Sequence, residues 1–183
     1  MTDTRQPGAS ASPSMLRVET IVAIGMCVSL AVVLHHTRLF RMPQGGSVTL
    51  GSSLPVWLVA FRYGACKGMV SGLCTGMVLF ILGGMVAVHP AQPILDYALA
   101  WGVLGVAGAF EQVTTGVTVA SLLRYGVLCL SGSLFFRAYA PSETHYVVYV
   151  ALYNLPSLID SVVAGLLLFA VNARAPHVVQ RRR

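Results

Sequence analysis

Long uninterrupted apolar runs constrain this chain more than any other feature of its sequence. The run from Ala65 to Val88 holds one charged side chain, Lys67, and the run from Tyr146 to Val171 holds only Asp160. A helix needs roughly 17–25 apolar residues to cross the hydrocarbon core of a bilayer. Charged residues make up only 10% of the chain, whereas a soluble domain carries about 25%. The chain is therefore predicted to be a membrane protein.

The apolar residues divide into six segments, which predict an all-α domain of six transmembrane helices. The segments are about Val18–Leu34, Gly51–Phe61, Ala65–Val88, Ile94–Phe110, Val117–Phe136 and Tyr146–Val171. The second segment is short, so we expect it to be tilted, partial or extended into the preceding loop. Glycines recur at every fourth residue in the third segment, at Gly64, Gly68, Gly72 and Gly76. This spacing places them on one helix face, and we interpret it as interior packing at which two backbones approach closely.

The termini differ in composition from the apolar domain, which we place at residues 16–173. Residues 1–15 are rich in Ser, Pro, Ala and Thr and are predicted to form a disordered tail rather than a signal peptide. Residues 174–183 are predicted to form a basic cytoplasmic tail.

The distribution of Lys and Arg predicts the orientation of the domain. With six spans both termini share one side, and nine of the 12 basic residues fall there. Arg124 is counted among the nine, because we expect it to snorkel to that surface. Cytoplasmic loops carry the excess of Lys and Arg, so both termini are predicted to be cytoplasmic.

Asp96 is the most informative polar residue, because it lies at the predicted outer end of the fourth segment. Pro93 suits a first helical turn, so Asp96 is expected in that same turn. One interpretation is structural, since a helix N-terminus stabilises a carboxylate. The other is functional, since ionisable groups at membrane depth mark ligand or ion pathways. Tyr97 follows directly, and an anion beside an aromatic ring suits an organic cation.

A second polar cluster lies in the sixth segment, around Tyr149 and Asn154. The Asn154 amide can donate and accept hydrogen bonds together, which suits a heterocycle with adjacent donor and acceptor atoms. The alternative is that Tyr149 is an interfacial residue and Asn154 bonds a neighbouring helix. Asp160 lies deeper in this segment and needs a partner, either Arg124 or a proton.

Patterns typical of catalysis or of metal binding are weak in this sequence. The four cysteines show no CxxC spacing and are interpreted as small buried hydrophobic residues. No two histidines have the i, i+4 spacing of metal ligands. No phosphate-binding Walker A sequence occurs, so any ATP-derived energy must come from a partner. An intramembrane redox enzyme using the cysteines and a purely structural membrane subunit remain as alternatives.

Four stretches of the sequence together resemble the thiamine-specific S components of energy-coupling-factor (ECF) vitamin transporters. The resemblance covers about residues 16–172 and keeps the order and spacing of the stretches. They are MPQGGSVTLGSSLPVWLVAFRYG (42–64), HPAQPILDYALAWGVLGVAG (89–108), LLRYGVLCLSGSLFFRAYAP (122–141) and VYVALYNLPS (148–157).

The resemblance implies a six-helix subunit of a prokaryotic cell membrane that captures thiamine from outside with high affinity and catalyses no reaction. Its implied partners are a transmembrane coupling protein and two cytoplasmic ATPases, which would dock at small residues of the first helix, here Gly25 and Ser29 or Ala23 and Cys27. It implies no cofactor, no catalytic residue and no metal site. The implied ligand-binding residues are Asp96 opposite the thiazolium, the adjacent Tyr97, Gly132 and Phe136 in the fifth helix, and Tyr149 and Asn154 at the pyrimidine.

The chain departs from the family pattern at two of these stretches. Leu128 occupies the position of a histidine that usually follows LL(R/K)Y, and Gly46 occupies that of a tryptophan found in some members. The lost histidine removes a polar contact, which is worth about 1–3 kcal/mol if its partner stays unpaired. A thiamine precursor or a different vitamin therefore remains an alternative ligand. Asp160 is not part of the family pattern.

Overall fold

A computed structural model describes residues 18–41, 47–83, 89–136 and 145–179. Each of the six predicted segments contains one helix, and four of these helices are long and apolar enough to cross a bilayer within the described residues. The helices are α1 (Val18–His36), α2 (Leu54–Tyr63), α3 (Ala65–Gly83), α4 (Ile94–Ala109), α5 (Val113–Phe135), α6 (Tyr146–Arg174) and the short α7 (Pro176–Val179).

A small hairpin between α1 and α2 corrects the prediction of an all-α chain. Strands β1 (Arg38–Arg41) and β2 (Ser47–Thr49) pair antiparallel, with Phe40 opposite Val48. Arg38, Leu39 and Phe40 of β1 are exposed, whereas Val48 and Thr49 are buried. The β2 strand thus carries the chain from the surface toward the interior, where backbone groups need hydrogen-bond partners. Residues 42–46, which include Gly46, lie outside the described part.

The second helix is partial, as its short apolar segment predicted. Its 10 residues extend about 15 Å, or half the hydrocarbon thickness. It follows a turn at Gly51, where φ is 75°, a conformation that favours glycine. A β-carbon on Gly51 would lie 3.1 Å from the Ala164 Cα atom. The turn therefore places the N-terminus of α2 against the middle of α6.

The regularly spaced glycines of α3 lie against α4, which confirms their interpretation as interior packing. A β-carbon on Gly72 would lie 2.1 Å from the Trp101 carbonyl oxygen, and one on Gly76 would lie 2.1 Å from that of Tyr97. Gly68 is similarly enclosed by Ala60. Gly64 has a different role, because it ends α2 with a φ of 97°.

The chain after α6 is more ordered than the predicted basic tail at 174–183. Arg174 ends α6, and α7 packs back onto the domain with Val179 only 3% exposed. Arg62 donates a 2.5 Å hydrogen bond to the His177 carbonyl. Burial of an apolar side chain and a charge-assisted bond together explain why this segment folds back. The predicted tail at 1–15 and residues 180–183 lie outside the described part.

Candidate ligand-binding site

Asp96 lies in the first turn of α4, where the sequence placed it. Its carboxylate is half-buried. The backbone from Ile94 to Leu99 forms wide π-helical turns before tightening into a 3₁₀ helix over Val103–Ala109. Wide turns of this kind are frequent at functional sites, because they change the direction in which side chains point. Asp96 and Tyr97 are therefore presented by an irregular segment.

Two buried neighbours of Asp96 were missed by the sequence reasoning. Gln92, which is fully buried, donates from Nε2 to the Asp96 Oδ2 atom over 3.3 Å. The fully buried Ser131 of α5 lies beside the same carboxylate, and its Oγ atom makes no hydrogen bond within the described residues. The i, i+4 spacing of Gln92 and Asp96 is a signal that could have revealed the first contact. The second joins different helices and has no local signal.

Two pairs of aromatic rings lie on α3, α4 and α6, and one member of each pair is near this carboxylate. The Tyr97 ring lies 5.6 Å from that of Phe80, and the Tyr149 ring lies 6.1 Å from that of Tyr153. Tyr153 is within electrostatic range of Tyr149, Asp96 and Tyr97. It therefore connects the two predicted polar clusters, although the sequence reasoning did not select it.

Asn154 uses its amide nitrogen within the protein. The Nδ2 atom donates to the Val150 carbonyl over 3.0 Å and lies 3.4 Å from the Leu128 carbonyl. The Leu128 contact agrees with the alternative that Asn154 bonds a neighbouring helix. Both amide protons are directed at backbone oxygens, so the Oδ1 atom is the part of the side chain that could accept a hydrogen bond from a ligand.

Gly132 and Phe136 lie at the C-terminal end of α5. A β-carbon on Gly132 would lie 2.7 Å from the Val150 Cγ1 atom and 3.4 Å from the Asn154 Nδ2 atom. The missing side chain therefore lets α5 approach α6 beside Asn154. Phe136 is half-buried just after the helix end. Its neighbour Phe135 stacks on His89, with ring centroids 5.3 Å apart.

Arg124 does not snorkel to the surface, which corrects the sequence-based prediction. It is 8% exposed, and its Nη1 atom lies 2.7 Å from the Ser53 hydroxyl and 3.9 Å from the Asp160 Oδ2 atom. The guanidinium also stacks over the Trp101 ring, 4.4 Å from its centroid. The buried carboxylate of Asp160 provides the opposite charge, and this partner keeps Arg124 inside the bundle.

The cysteines are less buried than predicted. Cys66 and Cys74 are exposed on α3, while Cys27 and Cys129 are half-buried, and all four are free thiols. Exposure of an apolar thiol is compatible with a helix face that meets lipid. Within the described ranges, no group of three or more His, Cys, Asp and Glu side chains could hold a metal ion.

Comparison with known proteins gives a consistent assignment. The sequence model of the family described as "Thiamine transporter protein" matches residues 21–180. The chain is 31% identical to the thiamine transporter ThiT of Bacillus subtilis over 180 aligned residues, covering 87% of this chain and 93% of that protein. It is 24% identical to ThiT of Lacticaseibacillus paracasei, covering 84% of each.

Solved structures share the fold at lower sequence identity. ThiT from Listeria monocytogenes superposes with a TM-score of 0.80 at 21% identity, covering 90% of this chain and 98% of that one. An S component of a bacterial ECF transporter gives a TM-score of 0.65 at 16% identity, covering 91% and 100%. The extent of the family match and the identity to the Bacillus protein carry the assignment, and the chain belongs to the thiamine transporter protein family.

Proposed function

We propose that this protein is the thiamine-binding S component of an ECF-type transporter, a multi-pass protein of a bacterial cell membrane rather than an enzyme. It captures the vitamin from outside with high affinity and passes it to partner subunits. Family membership supports the ligand, and the likeness to an ECF S component supports the architecture. The observation that carries the proposal is a half-buried carboxylate that accepts a hydrogen bond from Gln92 and lies near Ser131, Tyr97 and Tyr153.

Binding of thiamine at this position follows from its permanent positive charge. The Asp96 carboxylate neutralises the thiazolium, and a low-dielectric surrounding strengthens that attraction. The neighbouring tyrosines add ring faces, which attract cations and stack on flat heterocycles. The Asn154 Oδ1 atom accepts a hydrogen bond from the exocyclic amine of the aminopyrimidine. These contacts hold the ligand without forming or breaking a covalent bond.

The orientation that we propose places the site at the outer end of a six-span bundle, with both termini in the cytoplasm. Burial of Arg124 leaves eight cytoplasmic basic residues against three on the outer side. The excess still favours the same orientation. Residues 16–173 then form the membrane domain, and the ends that flank it are cytoplasmic.

Transport through such a subunit requires partners that supply energy. We propose a transmembrane coupling protein and two cytoplasmic ATPases, because the chain has no Walker A sequence of its own. The exposed positions Gly25 and Ser29 of α1 are the docking face, since a β-carbon on Gly25 would meet no atom within 4 Å. Ala23 and Cys27 are half-buried and less suited to contact a partner.

A thiamine precursor is the second candidate ligand, and Leu128 is the observation that favours it. This side chain is apolar and half-buried beside Asn154, where the family pattern has a histidine. A smaller ligand that lacks the group contacted by that histidine would lose no binding free energy when Leu128 replaces it.

Calorimetry of the purified protein distinguishes these ligands. We expect saturable binding of thiamine, with weaker binding of the neutral pyrimidine moiety alone. Tighter binding of the pyrimidine moiety than of thiamine would assign the protein to a precursor. Absence of binding for thiamine, its phosphates and the pyrimidine moiety would contradict the proposed function.

A further inference from the structure

Two opposite charges lie buried beneath the candidate site and have no role in the ligand contacts described above. Arg124 and Asp160 are 8% and 3% exposed. The Asp160 Oδ1 atom accepts hydrogen bonds from the Thr49 hydroxyl and from the Thr49 N–H group, the latter over 3.3 Å. The Ser53 hydroxyl lies 3.3 Å from its other oxygen. The carboxylate is therefore surrounded by hydrogen-bond donors and by the Arg124 guanidinium.

The position of the pair follows from helix periodicity. Arg124 precedes Ser131 by seven residues on α5, and Asp160 follows Tyr153 by seven residues on α6. Seven residues make two helical turns, so each charged residue lies on the same face as a neighbour of Asp96, about 10 Å away along the helix. Because α5 and α6 run antiparallel and Ser131 and Tyr153 lie at the Asp96 end of each, both charges lie deeper than the candidate site.

A lone guanidinium at this depth would oppose the binding of a cation. Arg124 carries its charge permanently, and a buried positive charge acts over about 10 Å with little screening. Arg38 also lies near Tyr97, but it is exposed and therefore screened by solvent. His35 also lies near Arg124 and Asp160, with His36 beside it.

We propose, on the basis of the thiamine-binding function above, that Asp160 determines ligand charge specificity by compensating Arg124. With Asp160 ionised, the paired charges cancel, and Asp96 leaves the site with a net negative charge. Without Asp160, Arg124 offsets Asp96 and the preference for a cation is lost. Asp160 is thus a positioning and compensating residue that does not touch the ligand.

The test compares thiamine with a neutral deaza analogue, in which carbon replaces the thiazolium nitrogen. The quantity measured is the ratio of the two dissociation constants, by calorimetry on the purified protein. For one unit charge at about 10 Å and an effective dielectric constant of about 20, Coulomb's law predicts a change on the order of tenfold. We expect Asp160→Asn to raise the dissociation constant of thiamine by that factor relative to that of the deaza analogue.

The double variant Arg124→Gln/Asp160→Asn separates charge from packing. It removes both charges, so we expect the ratio to return to that of the unmodified protein. Arg124→Gln alone leaves the Asp160 charge uncompensated. We expect it to shift the ratio in the opposite direction, so that thiamine binds more tightly relative to the deaza analogue. The double variant leaves no bare buried charge, which would be strongly destabilising. It therefore tests the inference even if a single variant fails to fold, because a ratio that differs from that of the unmodified protein would contradict it.

Equal losses of both ligands in Asp160→Asn would overturn the inference and leave a purely structural pair. An unchanged ratio in Arg124→Gln would overturn it as well. If the unmodified protein fails to bind thiamine, the proposed function itself is contradicted, and that outcome is seen before any variant is measured.

Discussion

Asp96 depends on its neighbours for a fixed direction, and this is the residue-scale basis of the proposed site. A carboxylate in a flexible first turn would lose conformational freedom on binding a ligand. Gln92, which lies two residues before α4, donates a hydrogen bond to it before a ligand arrives, and the buried Ser131 of α5 lies beside it. Binding therefore starts from a partly ordered acceptor.

Removing the Ser131 hydroxyl tests that ordering. We expect Ser131→Ala to weaken the binding of thiamine several-fold, because it removes a buried hydroxyl beside the carboxylate, a loss of about 1 kcal/mol. Ser133→Ala is the matched control, because Ser133 lies two residues along α5 and therefore on another face. Titration calorimetry of both variants gives the comparison, and equal affinities would remove Ser131 from the site.

The sequence predicted the individual polar residues better than their partners. Asp96, Tyr149 and Asn154 were selected because a polar group in an apolar helix is expected to have either a hydrogen-bond partner or a functional role. Their hydrogen bonds depend on distances between helices, which no local pattern encodes. Arg124 shows the limit most clearly, since its position near the end of a segment predicted a surface residue. Its partner lies on another helix, 36 residues along the chain.

At the scale of secondary structure, the fit between α3 and α4 determines where the carboxylate lies. Backbone carbonyls of Tyr97 and Trp101 occupy the space that side chains at Gly76 and Gly72 would need. The wide turns of α4 include Tyr97 and Asp96 themselves. Any change at these glycines must therefore move the segment that presents the site.

The variant Gly76→Ala tests this dependence. Its β-carbon would meet the Tyr97 carbonyl oxygen at 2.1 Å, so we expect a loss of stability of about 1–3 kcal/mol or more together with loss of thiamine binding. Gly126→Ala is the control, because a β-carbon there meets no atom within 4 Å. Thermal unfolding and ligand titration of both variants decide the point. Normal binding by a stably folded Gly76→Ala variant would contradict it.

The helices were predictable because their apolar runs are long. The hairpin before α2 and the wide turns of α4 were not predictable. All six segments were located to within a few residues. The hairpin of β1 and β2 was missed because its strands are only four and three residues long. The wide turns of α4 also have no sequence signature, since they depend on the carbonyls that approach Gly72 and Gly76.

On the scale of the whole molecule, the proposed ligand site and the proposed docking face lie on different helices. The candidate site lies between α4, α5 and α6, whereas the proposed docking face lies on α1. Composition predicted the membrane environment directly, because so few charged residues cannot form a water-facing surface. The orientation remains a prediction from the distribution of basic residues.

Separate surfaces predict that docking and binding can be uncoupled. We expect Gly25→Leu to bind thiamine normally and to abolish uptake in cells that also produce the coupling protein and ATPases. The larger side chain fits the fold, because nothing lies within 4 Å of a β-carbon there, yet it blocks close helix contact. Gly126→Leu, at a similarly open position on α5, is expected to keep uptake. Normal uptake by Gly25→Leu would remove this face from the docking surface.

The charge preference of Asp96 is the most direct test of the account as a whole. The measurement is the dissociation constant of thiamine and of its neutral deaza analogue, for the unmodified protein and for Asp96→Asn. Loss of a charge in contact with the thiazolium is expected to raise the dissociation constant of thiamine on the order of a hundredfold. The dissociation constant of the neutral analogue is expected to change little. Equal losses for the two ligands, or no loss for either, would contradict the role of Asp96 as the counter-ion of a bound cation.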